Sequence, residues 1–281
     1  MIDKTAVFCI PVKNESSNIK SLFKTLDNLT NLFKDYFIIF VESDSIDNSN
    51  DLIKEYLHDK KGVLINKSLK DIKNRVSRLA ISRNEYLKYI KENEKLVSFD
   101  FLIVLDCGGV NNYLSSKKLQ KAICNNSEFI GIFPNQNIFY YDVWTLRIKN
   151  VIDYDCFEEL FKVYKNNEDN IKQKFFQLIG KFIFINFFIK TKKIKVISAY
   201  GGMAIYKLNK VIDFSYDSNN GKNCEHVEFN KKIYNKYGEC LIIDKNLTNS
   251  YGINIHTVNI LLCSFSNFFT TRFIKKIIWN F

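Results

Sequence analysis

The feature of this 281-residue chain that most constrains its fold is a run of five apolar residues, 101–105, that leads directly into Asp106-Cys107-Gly108-Gly109. Such a run, bounded by turn residues, predicts a strand buried on both faces, as in a parallel sheet. In open α/β sheets, ligands bind at the carboxyl ends of such strands. Asp106 therefore indicates a site for a divalent cation or a ligand hydroxyl, and the alternative is an ordinary strand followed by a turn.

Alternating strand-like and helix-like patterns extend this prediction to a half-sheet. Residues 6–12 and 36–41 read as strands, and an amphipathic helix from Ile19 to Phe33 separates them. A short strand at 63–65 and a basic helix over 72–92 follow, so the order predicts a βαβαβ nucleotide-binding unit. The sequence contains no Gly-x-Gly-x-x-Gly fingerprint and no P-loop. Later patterns predict a strand at 129–133, a glycine-interrupted strand over 194–206 and a helix over 224–237.

Composition restricts the function classes. The hydrophobic fraction of 46% allows a large core, and the length suits one large α/β domain. The net charge of +11 suits phosphate-bearing ligands or an anionic membrane face. The sequence has no stripe of basic and aromatic residues of the kind that binds nucleic acid, so we expect no nucleic-acid partner. Seven widely spaced cysteines without a Cys-x-x-Cys pair favour reduced thiols in a cytosolic compartment. No signal peptide and no apolar run of ~20 residues is found, so we expect a cytoplasmic protein that is soluble or peripheral to the inner face of a membrane.

Six short motifs follow one another along residues 5–256. They are Glu42-Ser43-x-Ser45-x-Asp47, Arg78-Leu79-Ala80-x-x-Arg83-Asn84, Phe99-Asp100-x-Leu102-x-x-Leu105-Asp106, Tyr141-Asp142-x-Trp144-x-x-Arg147, Gly201-Gly202-Met203-Ala204-Ile205-Tyr206 and Cys224-Glu225-His226-Val227-Glu228-Phe229-Asn230. In this order the chain resembles the GT-A glycosyltransferases. More narrowly, it is similar to the capsule-associated α-1,3-mannosyltransferase group and to related bacterial and viral sugar transferases. The resemblance implies a single α/β domain over residues 1–256, in which a Rossmann-like nucleotide-binding half-sheet joins an acceptor-binding half.

The resemblance also implies a nucleotide-sugar donor. On that basis Pro11, Lys13 and Glu15 would lie over the nucleoside. Glu42 would bind the base or the ribose, because an ionised carboxylate accepts two hydroxyl hydrogen bonds at once. The alternative for Glu42 and for Asp47 is the capping of a helix N-terminus.

Further donor contacts are implied for the later motifs. Arg83 with Asn84 would reach the diphosphate, and the alternative for the arginine is a solvated basic helix. Asp142, Trp144 and Arg147 would shape the donor-sugar or acceptor pocket, since tryptophan stacks on sugar faces. Their alternative is a core tryptophan beside a structural ion pair.

Asp106 and His256 are the predicted metal ligands. GT-A enzymes use an Asp-x-Asp signature to bind Mn²⁺ or Mg²⁺, which neutralises the diphosphate leaving group. Gly108 stands here in place of the second aspartate. Three alternatives follow: Asp106 binds the metal with other ligands, basic residues replace the metal, or activity is reduced or lost. His256 lies where many of these enzymes place a C-terminal histidine ligand, and a surface or core role is its alternative.

Glu225 is the predicted catalytic base or acceptor-binding residue, and Glu228 is the second choice. Inverting members of the group place an acid near this position, where it deprotonates the acceptor hydroxyl. His226 replaces the aspartate that is common at its own position. The mannosyltransferase resemblance points instead to retention, so both stereochemical outcomes stay open.

Two segments rich in phenylalanine and lysine, 174–190 and 257–281, predict either packed helices or an interfacial membrane anchor. An anchor in the second segment, a basic aromatic C-terminal helix, would suit a lipid-linked acceptor. The sequence as a whole predicts transfer of a sugar from a nucleotide donor to a glycan or lipid-linked saccharide, as in polysaccharide biosynthesis. One rival is a degenerate GT-A fold that binds carbohydrate or nucleotide. Another is a basic protein that binds nucleic acid or membranes.

Overall fold

The computed structural model describes residues 1–137, 140–156, 158, 159, 162 and 192–250. Several predictions concern other residues. The predicted ligand His256, the domain boundary after residue 256, the aromatic segment 174–190 and the basic C-terminal helix all lie outside the described residues.

The described residues form a mixed eight-stranded sheet with the strand order β3-β2-β1-β4-β7-β5-β8-β6. The first four strands in this order are parallel to one another, and β7 is antiparallel to both β4 and β5. β8 runs parallel to β5 and antiparallel to β6. The strands are β1 (Ile2–Val12), β2 (Phe33–Glu42), β3 (Gly62–Asn66), β4 (Phe101–Leu105), β5 (Gly131–Gln136), β6 (Ile194–Lys195), β7 (Met203–Lys207) and β8 (Leu241–Ser250).

Helices cover both faces of the sheet, as in other α/β proteins. They are α1 (Ile19–Thr30), α2 (Ser49–Leu57), α3 (Arg75–Lys91), α4 (Glu94–Val97), α5 (Ser116–Asn125), α6 (Leu208–Val211) and α7 (Glu225–Tyr237). The two faces form separate cores: α1, α2 and α5 pack on one, and α3, α6 and α7 pack on the other. β1 contributes to both because successive side chains alternate; Phe8 enters the first core and Cys9 the second.

The structure confirms the predicted α/β class and the parallel half-sheet built from β1 to β4. It corrects the detail at two places. The predicted first helix included Phe33, but α1 ends at Thr30 and Phe33 begins β2, where its ring packs against Phe8. The strand predicted at 129–133 begins and ends later, as β5, and the sequence patterns did not indicate α5 or β8.

Six of the seven cysteines fall within the described residues. All six are free thiols, and five of them are buried. In the described part of the chain, no helix combines the length and the apolar character needed to cross a bilayer.

Candidate active site

The candidate site lies at the edge of the sheet where β1, β2 and β4 end. Val12 and Glu42, the last residues of β1 and β2, pair with each other. Asp106 directly follows β4, beside the start of the antiparallel β7, and its backbone N–H donates a hydrogen bond to the carbonyl of Gly202 at 2.9 Å. This edge is where open α/β sheets collect their ligands.

Asp106 is held through one of its two carboxylate oxygens. Oδ1 accepts hydrogen bonds from Arg83 Nη2 at 3.1 Å and from the Tyr200 hydroxyl at 2.8 Å. Among the described residues, none donates a hydrogen bond to Oδ2, and the side chain is 40% exposed. A carboxylate that is fixed at one oxygen and open at the other is arranged to bind a cation or a ligand.

Arg83 lies beneath Asp106 and links it to Glu225. Its side chain projects from α3 and is almost fully buried, and its Nε donates to Glu225 Oε1 at 3.1 Å. Glu225 is the first residue of α7, where the helix dipole favours a negative charge. One guanidinium therefore meets two carboxylates, so the net charge of this cluster is −1. Of its three groups, Asp106 is the one that reaches solvent.

Glu225 is thus in the site, but its carboxylate is 4% exposed and faces Arg83. To reach an acceptor hydroxyl, it would need the guanidinium to move, and its role as a base stays a prediction. The alternative acid, Glu228, is half-buried and accepts a hydrogen bond from Asn223 Nδ2 at 2.9 Å.

His226, which follows Glu225, is buried with its ring stacked on that of Tyr200. The ring centroids are 3.5 Å apart and the planes are 20° from parallel. Its Nε2 lies 3.7 Å from Glu225 Oε1, which is too long for a hydrogen bond. Burial, and then the positive charge of Arg83, lowers the pKa of His226 well below its usual value, so the ring is neutral at physiological pH.

Glu42 is buried at the end of β2 and braces the loop that follows. Its Oε1 accepts from the Ser45 backbone N–H at 2.6 Å, and its Oε2 accepts from Asn50 Nδ2 at 3.4 Å. Asp47 ties this loop to the one after β1, because it accepts from the backbone N–H groups of Ser16 and Ser49. Burial alone would raise the pKa of Asp47, but these hydrogen bonds outweigh it and lower the pKa to about 2.

The residues predicted to cover the nucleoside lie on that first loop. Pro11 is within β1, and Lys13 and Glu15 follow it, all three partly exposed. The Glu15 backbone N–H donates to Ser49 Oγ at 2.8 Å, and its carboxylate accepts from Asn18 Nδ2 at 3.0 Å. The two loops therefore form one hydrogen-bonded rim beside Asp106, and their contact with a nucleoside stays a prediction.

Asn84 and Trp144 make contacts within the protein. The Asn84 amide donates to the Tyr216 carbonyl at 2.9 Å and accepts from the Tyr216 N–H at 2.8 Å. The Trp144 indole N–H donates to Asp155 at 3.1 Å, the same carboxylate oxygen that pairs with Arg147. The contact of Trp144 corresponds to its structural alternative, a tryptophan beside an ion pair, and the donor contacts of Asn84 and Trp144 stay predictions.

Asp142 lies close to the edge of the sheet that carries Asp106. Its Oδ2 accepts a hydrogen bond from the backbone N–H of Gly201 at 2.8 Å, one residue from the glycine that binds the Asp106 backbone. Burial raises the pKa of Asp142 to about 6; the hydrogen bond from Gly201 opposes this shift and the nearby Asp106 charge adds to it. Asp142 therefore titrates close to neutral pH.

Sequence reasoning missed Tyr200 and a set of buried amides behind the Gly201-Gly202 turn. Asn249 Nδ2 donates to the Gly201 carbonyl at 2.8 Å and to Asn111 Oδ1 at 2.9 Å, and Asn111 Nδ2 donates to the Gly202 carbonyl at 2.9 Å. Gly202 has a φ of +82°, and an added Cβ would lie 2.4 Å from a Val110 methyl group. A signal for Tyr200 was its place directly before the glycine pair.

The described residues fit a divalent cation only in part. They contain no group of three or more His, Cys, Asp or Glu side chains that could hold a metal ion. The open Oδ2 of Asp106 is a hard oxygen donor in a cluster of net charge −1, which suits Mg²⁺ or Mn²⁺ with further oxygen ligands from a diphosphate.

Comparison with known families identifies the class. Residues 7–195 match the family model "Glycosyl transferase family 2". The match covers more than half of the chain, and the chain therefore belongs to glycosyltransferase family 2. Together with the sheet described above, this confirms the predicted GT-A fold class. No protein with a curated description matches the sequence.

Solved structures also resemble the chain at low identity. The 1–349 fragment of S. aureus TarS matches with a TM-score of 0.48 and 14% identity, over 87% of this chain and 59% of that fragment. Glucosyl-3-phosphoglycerate synthase from Mycobacterium tuberculosis, in complex with UDP, matches with a TM-score of 0.49 and 9% identity, over 93% and 80% of the two chains. A complex of that synthase with Mn²⁺, UDP and glucosyl-3-phosphoglycerate matches with a TM-score of 0.49 and 10% identity, over 93% of this chain and 80% of that chain. The family assignment rests on the family model and not on these structures.

Proposed function

We propose that this family 2 glycosyltransferase moves a hexosyl group from a nucleotide-sugar donor to a glycan or lipid-linked saccharide acceptor. The observation that carries the proposal is the carboxylate of Asp106 at the end of β4, held at Oδ1 and open at Oδ2. The proposal extends to a mannosyl donor, to polysaccharide biosynthesis and to a cytoplasmic protein that is peripheral to an anionic membrane face.

Asp106 is the residue nearest the reaction in this proposal. Its open oxygen binds on the leaving-group side of the donor, with His256 as a further ligand from outside the described residues. A bound Mn²⁺ or Mg²⁺ would neutralise the charge that develops on the diphosphate. The cluster charge of −1, with its exposed group facing the ligand, supports the binding of a cation rather than of a bare phosphate.

The rim formed by the loops after β1 and β2 holds the nucleoside. Pro11, Lys13 and Glu15 present their partly exposed side chains there, and Glu42 fixes the loop that carries Asp47. The internal hydrogen bonds of this rim support a preformed pocket, which lowers the entropy lost when a nucleotide binds.

Two aspartates at opposite ends of β4 give the experiment a matched control. Asp106→Asn removes the charge at the proposed site, where the side chain is 40% exposed. Asp100→Asn makes the same change at the other end, where the side chain is 33% exposed and pairs with Lys4 and Thr5. Wild type and both variants are heated with UDP-, GDP- and CMP-sugars, with and without Mn²⁺, and donor consumption is measured.

We expect one nucleotide class to raise the melting temperature of the wild type and of Asp100→Asn, because a ligand that binds only the folded state stabilises it. Asp106→Asn should lose most of that shift and all donor consumption. The proposal is wrong if no nucleotide sugar raises the melting temperature of the wild type and none is consumed by it.

A degenerate GT-A fold that binds nucleotide or carbohydrate is the second candidate. Gly108 in place of the second aspartate, and a Glu225 carboxylate turned toward Arg83, both favour it. It predicts a nucleotide-dependent thermal shift in the wild type with no donor consumption and no transfer to any acceptor.

A further inference from the structure

We propose that Tyr200 is a positioning residue that orients Asp106 for donor binding, and that the ring of His226 holds Tyr200 in place. The inference rests on the proposed function. It concerns a contact that the sequence patterns did not indicate, between a hydroxyl on the turn before β7 and the carboxylate after β4.

A single carboxylate needs to be oriented more firmly than one of a pair. Because Gly108 supplies no second carboxylate, the ligand at this edge depends on one oxygen of Asp106. An aspartate side chain can turn about two bonds, and each orientation that it samples weakens its hold on a ligand. Arg83 and Tyr200 both donate to Oδ1, so together they restrain the carboxylate and leave Oδ2 facing solvent.

The Tyr200 hydroxyl is well suited to donate this hydrogen bond. The phenol donates to a charged acceptor at 2.8 Å, a charge-assisted bond that is stronger than a neutral one. Burial, and then the Asp106 charge, raises the pKa of Tyr200 well above its usual value. The hydroxyl is the donor in this hydrogen bond, and the carboxylate oxygen is the acceptor.

The ring of Tyr200 is fixed on both sides. His226 stacks on one face with a centroid distance of 3.5 Å, and the Arg83 guanidinium carbon lies 5.2 Å from the ring centroid. The Tyr200 backbone N–H also donates to the Tyr140 hydroxyl at 3.3 Å. Neither ring nitrogen of His226 makes a hydrogen bond with a described residue, and the neutral ring offers Tyr200 a flat surface.

Tyr200→Phe tests the inference, because it keeps the stacked ring and removes the hydroxyl. Tyr86→Phe is the matched control: Tyr86 is also buried, but among the described residues the donors to Asp106 are Arg83 and Tyr200 and not the Tyr86 hydroxyl. Dissociation constants of UDP and GDP in the presence of Mn²⁺, and the Mn²⁺ concentration for half-maximal nucleotide binding, are measured by calorimetry for each protein. The melting temperature without ligand reports any general loss of stability.

We expect Tyr200→Phe to weaken nucleotide binding in Mn²⁺, and to raise the half-maximal Mn²⁺ concentration, on the order of tenfold. Tyr86→Phe should bind like the wild type. His226→Phe preserves the stacking and should bind close to the wild type, whereas His226→Ala removes it and should weaken binding in the same direction as Tyr200→Phe.

Three results would overturn the inference, and they differ from one another. Wild-type binding in Tyr200→Phe, with nucleotide bound normally by the wild type, rejects the positioning role and leaves the proposed function intact. Failure of the wild type to bind UDP, GDP or any nucleotide sugar of the donor panel rejects both the inference and the proposed function. Equal weakening in Tyr200→Phe and Tyr86→Phe also counts against positioning, since it would show that any lost buried hydroxyl has the same effect.

Discussion

Arg83 and Arg147 are both buried, with 1% and 3% exposure, yet their surroundings differ. Arg147 is satisfied locally: its Nη1 donates to the carbonyls of Trp144 and Leu146 at 2.8 and 2.9 Å, and its Nη2 donates to Asp155 at 2.8 Å. These acceptors are one to eight residues away in sequence. One cation meets one carboxylate, so the ion pair is neutral, and the Asp155 side chain is 16% exposed.

Arg83 instead joins elements that are distant in sequence. Its two carboxylate partners, Asp106 and Glu225, are 23 and 142 residues away and come from the end of β4 and the start of α7. It meets two negative charges and leaves one of them at the surface. Both arginines belong to motifs that resemble the same enzyme family, yet one closes an ion pair between near neighbours in sequence and the other joins two carboxylates from distant elements.

Of the changes that test this comparison, we expect Arg83→Met to have the largest effect, a loss in the free energy of unfolding. The substitution leaves the Glu225 carboxylate buried without its cation, and breaking a buried pair in this way costs about 3–5 kcal/mol. Urea unfolding measures the loss.

Glu225→Gln provides the control for that prediction. In the double variant Arg83→Met/Glu225→Gln no buried charge is left unpaired at α7. Its loss in free energy of unfolding should therefore be well below the sum of the losses of the two single variants. Additive losses would mean that the pair is not coupled and that Arg83 stabilises the fold by packing alone.

Arg147→Met should have a smaller effect on stability and a different effect on ligands. It removes the hydrogen bonds to two carbonyls and the cation that pairs with the 16% exposed Asp155, which keeps its hydrogen bond from Trp144, at a cost of about 1–3 kcal/mol. If this corner is purely structural, the thermal shift produced by UDP or GDP with Mn²⁺ should match that of the wild type. A lost shift in a folded variant would instead support the predicted donor contacts of Asp142 and Trp144.

Much of the fold could be predicted because buried strands are short apolar runs and their helices have amphipathic spacing. β4 and the parallel half-sheet followed from this pattern alone. β8 did not, because only its first residues are apolar and its polar second half is held in the sheet by pairing with β5. Phe33 was assigned to a helix because it continues the helical spacing of α1, and only its packing on Phe8 reveals the strand.

The candidate site could be predicted where chemistry lies at the end of a strand, and less well where it depends on contacts distant in sequence. Asp106 was indicated by its position after β4. The pairing of Arg83 with Glu225 spans 142 residues, and no spacing rule encodes it. Tyr200 was missed because a tyrosine before two glycines resembles an ordinary core aromatic until the fold brings its hydroxyl to Asp106.

The smallest expected effect is on the stability of a variant at Asp142, which binds Gly201 next to the glycine that contacts Asp106. Its pKa is raised from 3.8 to about 6 in the folded state, so the folded protein binds a proton more tightly than the unfolded chain does. The stability that this proton provides is fully present below pH 4 and is lost as the pH rises through 6. Asn keeps an oxygen that can accept from Gly201 and cannot ionise, so Asp142→Asn should be more stable than the wild type at pH 8 by about 1 kcal/mol, and less so at pH 5.

Asp47→Asn separates this effect from a general response to charge removal. The pKa of Asp47 is about 2, so the stability that its carboxylate provides is already complete at pH 5, and the difference between this variant and the wild type should not change between pH 5 and 8. Urea unfolding at several pH values measures both differences. If the gap for Asp142→Asn is also constant, Asp142 is already ionised at pH 5. Burial, and then the charge of Asp106, would in that case not raise the pKa of Asp142, so the electrostatic difference between the regions around Arg83 and Arg147 would be limited to the number of carboxylates that each arginine meets.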